Sequence, residues 1–249
     1  MAEREISRHS LTGKTALVIG GSRGIGRAVV ERFAADGAAV VFSYVEREQE
    51  ATALAQAIER QGGTAVPVRA DLGNAAHIRG LFDAAEKALG GLDIVVANAA
   101  IAVIKPMVEL TEADFDRVFT INAKGTFMAL QEAARRVRPG GRIIATSTGG
   151  TQMLMTQTSL YLGSKGAVEQ FVRVLARELG ERGITVNAVS PGYTDTELLP
   201  QRDRAVAAAA SPFNRIGRPE DVAEAFAFLA ADSGRWITGQ NIAAGGGVF

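Results

Sequence analysis

Short apolar runs rich in β-branched residues recur along the chain, at positions 15–19, 39–42, 65–68, 92–96, 142–145 and 184–189. Longer stretches between them, 26–36, 48–61, 75–89, 112–137, 159–181 and 219–231, repeat their apolar positions at helical spacing. The short runs are apolar on both faces, as strands of a parallel sheet are when helices cover both sides. Strand and helix alternating over the whole chain predict an α/β fold, doubly wound and mostly parallel. Residues 240–243 supply a seventh short strand, and Gly245-Gly246-Gly247 reads as a turn or tail. Pro67 stands inside the third run. A proline donates nothing to a ladder, so that strand is expected at an edge or cut short. Repeats, low-complexity tracts and linkers are absent, and one domain spanning residues 1–249 is expected.

Composition narrows the classes of function. With 249 residues the chain can bury roughly 70% of its unfolded surface and needs no covalent staple. It has no cysteine, hence no disulfide, thiolate zinc site, iron–sulfur cluster or cysteine nucleophile. Lys and Arg total 27 and so do Asp and Glu. That balance gives no long-range attraction to nucleic acid or to an anionic membrane. The first 14 residues are polar and mixed in charge, unlike a signal peptide. No window approaches the ~18 uninterrupted apolar residues of a membrane span. A cytoplasmic protein without nucleic-acid or membrane partners is expected. His9 and His77 are the only histidines, no carboxylate cluster has ligand spacing, and no metal is expected.

Candidate chemistry begins after the first strand, in Gly20-Gly21-Ser22-Arg23-Gly24-Ile25-Gly26, which leads straight into a helix. Glycines allow positive φ and close approach of backbone to a ligand. Helix N-terminal amides favour a pyrophosphate, so this turn reads as a dinucleotide site. The second strand ends Ser43-Tyr44 with no carboxylate to accept ribose hydroxyls, and Arg23 can pair with a 2′-phosphate. NADP(H) is therefore favoured over NAD(H), although Glu46 and Arg47 pull in opposite directions and also suit an ordinary solvated helix start. Further along, Tyr161 and Lys165 are four apart and share a helix face. A cation beside a phenol favours phenolate and fits the tyrosine for acid–base work.

Taken in order, the motifs resemble those of the short-chain dehydrogenase/reductase family, over about residues 11–249. They are Gly20-x-x-x-Gly24-x-Gly26, Asp71-Leu72, Asn98-Ala99-Ala100, Asn122, Tyr161-x-x-x-Lys165 and Pro191-Gly192. The resemblance implies a Rossmann-type fold and a carbonyl reductase or alcohol dehydrogenase, close to the 3-oxoacyl-thioester reductase branch. It makes Tyr161 the proton donor, with Lys165 lowering its pKa and binding the nicotinamide ribose, and Asn122 the holder of a relay water. Asp71 would bond the adenine amino group and Leu72 offer an amide, while Asn98, Ala99 and Ala100 line the cofactor. Pro191, Gly192, Thr194 and Thr196 would hold the carboxamide, and Asp195 is read as a loop or cap residue. A homotetramer built across the long helices is also implied.

Three positions depart from the family pattern. The usual serine thirteen residues before the tyrosine is Thr148, with Ser147 beside it. Thr148 is expected to orient the substrate, with Ser147 the alternative. Ala100 stands where glycine is usual, and Ile19 where threonine is. Residues 197–218 are expected to form a substrate lid, mostly small and apolar. Met153, Leu154 and Met155 would form the opposite wall, or else pack in the core. An apolar pocket suits a hydrophobic ketone or an acyl chain. Arg135, Arg136, Arg138 and Arg182 would serve to dock an acyl carrier, unless they are only a solvated helix face. The competing functions are a non-catalytic dinucleotide-sensing regulator on the same fold and an epimerase.

Overall fold

The computed structural model describes residues 10–249; His9 lies outside them. Seven strands form one sheet: β1 (Thr15–Ile19), β2 (Ala39–Tyr44), β3 (Thr64–Arg69), β4 (Leu92–Ala97), β5 (Val137–Thr146), β6 (Thr185–Pro191) and β7 (Asn241–Ala244). Their order is β3-β2-β1-β4-β5-β6-β7, and every pairing is parallel. The expectation of a mostly parallel sheet is thus met in full. The helices are α1 (Gly24–Ala35), α2 (Glu48–Arg60), α3 (Ala75–Leu89), α4 (Glu112–Phe119), α5 (Thr126–Arg136), α6 (Ser159–Glu178), α7 (Arg204–Ala210) and α8 (Pro219–Ala230).

Side-chain alternation along each strand divides the core in two. Ala16, Val18, Val40 and Phe42 point into one cluster with α1, α2 and α8. Leu17, Ile19, Val41 and Val95 point into the other with α3, α5 and α6. Both faces being covered explains why the strands read as continuous apolar runs. β3 is an edge strand, where Pro67 can be tolerated, and its pairing with β2 continues through Phe42 and Pro67.

The helix expected over 112–137 is interrupted. α4 gives way to a π-helical turn at Thr120–Gly125 before α5 begins. Such turns are rare and gather at functional sites. The segment 197–218 is not featureless, since it contains α7. Among the described residues no helix is long and apolar enough to cross a membrane.

Candidate active site

The carboxyl ends of the strands are in register: Ile19 pairs with Ala97, Ala97 with Ala145, and Thr146 with Val189. Strand order reverses between β1 and β4, which opens a crevice just beyond those ends. The glycine turn sits there. Gly20 has φ +80, and a Cβ on it would lie 2.7 Å from the Ala99 methyl. A Cβ on Gly26 would lie 2.0 Å from the Gly20 carbonyl oxygen, so the turn can press on the helix only if residue 26 is glycine. Asn98 holds the same carbonyl, its Nδ2 donating to Gly20 O at 2.9 Å. α1 begins with no side-chain cap and no acid in its first turn. Its first amides are left for an anion, and the chemistry of this turn fits a pyrophosphate. The turn brings together Gly20, Ser22, Arg23, Gly24, Ile25 and Gly26.

Ser43 and Tyr44 are both buried. The Ser43 hydroxyl accepts from Gly20 N at 2.9 Å, so it braces the turn from inside. Tyr44 belongs to the core cluster. Positive charge beyond β2 comes instead from Arg47. Its guanidinium pairs with Glu197 at 2.6 Å, and Arg23 pairs with the same carboxylate at 2.6 Å. Asp71 accepts from Gly73 N at 2.8 Å in a tight turn, while Leu72 is buried and its carbonyl packs on Gly125. Ala100 has no left-handed backbone, so its methyl introduces no strain where the family has glycine.

Asn122 lies in the π turn and is fully buried. Its Oδ1 accepts from Ile101 N at 2.9 Å, and its Nδ2 donates to Ile101 O at 2.8 Å and to Ser164 Oγ at 3.1 Å. Ser164 in turn donates to Tyr161 O at 2.7 Å. Asn122 therefore fastens the loop after β4 to the helix that carries Tyr161 and Lys165.

Lys165 is buried, and its Nζ donates to Thr146 O at 2.7 Å. That burial pulls the ammonium down to about 8. The Nζ stands 5.9 Å from the centroid of the Tyr161 ring. Burial pushes the Tyr161 phenol above its ordinary value, and hydrogen bonding with Thr148 pulls it the other way. The expected lowering by Lys165 is not what governs this phenol; desolvation outweighs the other influences on it.

The two hydroxyls after β5 differ in their commitments. Ser147 is buried, and its Oγ donates to Glu169 Oε1 at 2.6 Å. The Thr151 hydroxyl donates to the same oxygen at 2.7 Å. Thr148, half-buried between them, is the one that reaches Tyr161. Glu169, one helical turn beyond Lys165, thereby fixes the residues on either side of Thr148. The Phe249 ring packs on Gly149, where an added Cβ would meet it at 2.0 Å. Neither Glu169 nor Phe249 carries a motif that sequence reading could single out.

Pro191, the last residue of β6, is buried, and Gly192 N donates to Ala244 O at 3.3 Å. Thr194 is buried and bridged to Gly217 near the end of the segment 197–218, with Asp195 N donating to Gly217 O at 2.8 Å. Thr196 faces the glycine turn, its Cγ2 lying 3.2 Å from a Cβ built on Gly24. Asp195 pairs with Arg204 of the segment 197–218. Leu154 is fully exposed and Met155 partly so, which removes these two from the core. The arginines considered for docking are engaged: Arg136 with Asp83, Glu86 and Glu132; Arg135 with Glu132; Arg138 with Asp93; Arg182 with the Ala134 and Val137 carbonyls. Among the described residues no group of three or more Asp, Glu or His is placed to hold a metal ion.

An all-parallel sheet, a glycine turn at its order reversal and a Tyr–Lys–Thr–Asn cluster at the same edge define a dinucleotide-dependent oxidoreductase. Residues 19–249 match a family model described as enoyl-(acyl carrier protein) reductase. A versicolorin reductase of Emericella nidulans is 38% identical over 257 residues, covering 97% of this chain and 97% of the relative. A short-chain dehydrogenase of Burkholderia cenocepacia, solved in complex with NADP, is 39% identical with a TM-score of 0.91, covering 96% of this chain and 98% of that one. An angucycline C-6 ketoreductase solved with bound NADP is 40% identical with a TM-score of 0.92, covering 96% of each chain. The chain belongs to the short-chain dehydrogenase/reductase family and is an NAD(P)-dependent oxidoreductase.

Proposed function

We propose that this protein is an NADP(H)-dependent carbonyl reductase acting on an apolar ketone. The observation that carries the reading is the meeting of Thr148, Tyr161 and Lys165 at the carboxyl end of β5. When bound, the nicotinamide cofactor supplies the hydride. The protein orients the carbonyl: the Thr148 and Tyr161 hydroxyls converge on its oxygen, and Tyr161 transfers its phenolic proton to that oxygen. A phenol kept protonated by burial is in the right state to donate at neutral pH. Lys165 holds the positive charge next to the tyrosine and would bind the nicotinamide ribose. Asp71, Leu72, Asn98, Ala99 and Ala100 would hold the adenosine half, and Pro191, Gly192, Thr194 and Thr196 the carboxamide.

Preference for NADP(H) is supported by Arg23 and Arg47 beyond a carboxylate-free β2 end, and by two NADP-bound relatives. An apolar ketone is supported by Leu154, Met155, Leu198, Val206 and Phe213, apolar and exposed before α6 and in the lid. Two relatives are named as a versicolorin reductase and an angucycline C-6 ketoreductase, and the second name agrees with a ketone as substrate. Engagement of Arg135, Arg136, Arg138 and Arg182 in internal pairs favours a free ketone over a carrier-bound thioester. Tyr161→Phe should lose at least about 10²-fold in ketone-dependent NADPH oxidation, followed by absorbance, while NADPH still binds by fluorescence titration. Near-normal turnover would sink the assignment. Cofactor binding without turnover of any ketone by the intact protein would favour the regulator.

A further inference from the structure

Glu197 opens the lid, and its carboxylate is already engaged. It bridges two arginines from distant parts of the chain. Arg23 of the glycine turn donates to Oε2 at 2.6 Å, and Arg47 beyond β2 donates to Oε1 at 2.6 Å and Oε2 at 2.8 Å. The Arg47 contact is a two-point fork, the arrangement in which guanidinium also binds phosphate. Both pairs lie at the surface, with less than half of the Arg47 side chain exposed and just over half of Arg23 and of Glu197. Next to Glu197, Thr196 rests against Gly24. The start of the lid is therefore seated on the cofactor turn by one apolar contact and one shared carboxylate.

We infer that Glu197 is an internal stand-in for the 2′-phosphate of NADP(H), a lid carboxylate that must leave Arg23 and Arg47 before the phosphate can take them. The inference rests on the NADP(H) reading given above. It makes Glu197 a specificity-determining residue: NAD(H), with a ribose hydroxyl at that place, has no need to displace it. The pairs are exposed, so each is individually weak, but all act against one ligand group. A carboxylate left nearby after displacement also repels the phosphate.

The test compares wild type, Glu197→Gln and Arg47→Ala by equilibrium titration with NADPH, NADH, adenosine 2′,5′-bisphosphate and 5′-AMP. The last two differ only by the 2′-phosphate and lack the nicotinamide that engages the carboxamide loop. Glu197→Gln should tighten NADPH and the bisphosphate on the order of three- to tenfold and shift NADH and 5′-AMP by less than about twofold. Arg47→Ala should weaken only the two ligands that carry a 2′-phosphate. Unchanged or weaker NADPH binding by Glu197→Gln, or equal tightening of all four ligands, would overturn the inference while leaving the cofactor preference standing. If wild type binds NADH as tightly as NADPH and Arg47→Ala changes neither, the preference and the inference fall together.

Discussion

At the scale of single residues, the hydroxyls around Tyr161 have separable roles. Thr148→Val removes the hydroxyl that reaches the phenol while keeping the branched shape, and should lower kcat by about 10²-fold. Thr148→Ser keeps the hydroxyl and should stay within about tenfold of wild type. Ser147→Ala should cost less than Thr148→Val, because Ser147 is spent on Glu169. Steady-state kinetics on one ketone ranks the three, and a larger loss at Ser147 would reverse the assignment. Lys165 gives a pH prediction. Its charged form persists below about 8 and is lost as pH rises through that value. The kcat/KM for NADPH should therefore fall on an alkaline limb near pH 8. In Lys165→Arg that limb should vanish, because a guanidinium does not lose its proton in this range.

At the scale of elements, the π turn is the joint of the site. Asn122→Ala would leave the Ile101 N–H and C=O without their partner in a half-buried place, at about 2–4 kcal/mol together. For a chain of this size that lowers Tm by on the order of 5–15 °C, measurable by calorimetry, with turnover falling as α6 loosens. Strands could be read from sequence because their both-sided burial leaves unbroken apolar runs. The π turn could not, since residues 112–137 keep helical spacing through the extra residue. α7 was hidden as well: Ala207–Ala210 carries no period that separates helix from loop, and the helix has no side-chain cap. In the site, the Tyr–Lys spacing and the glycine turn are local and readable. The choice between Ser147 and Thr148 depends on Glu169, 22 residues away, and the fate of Arg23 on Glu197, 174 residues away. Pairings at such separations leave no trace in local pattern.

At the scale of the whole molecule, Phe115, Phe127 and Val174 on α4, α5 and α6 leave apolar surface exposed, as does Trp236. Surface of this kind fits the homotetramer implied by the family, and sedimentation should show a species larger than a monomer at micromolar concentration. A purely monomeric boundary would contradict it. The outer rim of the sheet has its own consequence, which follows from Pro67. Ala70 N donates inward to the Tyr44 carbonyl, and inward-facing positions alternate along β3, so residue 67 faces away from β2. The donor that proline lacks is thus missing from the free edge, where a stray strand would need it to add on. Pro67→Val should leave the fold intact yet restore that donor, and light scattering at high concentration should rise. The kink in the pattern that looked like a flaw in a strand works as a stop against templated growth of the sheet.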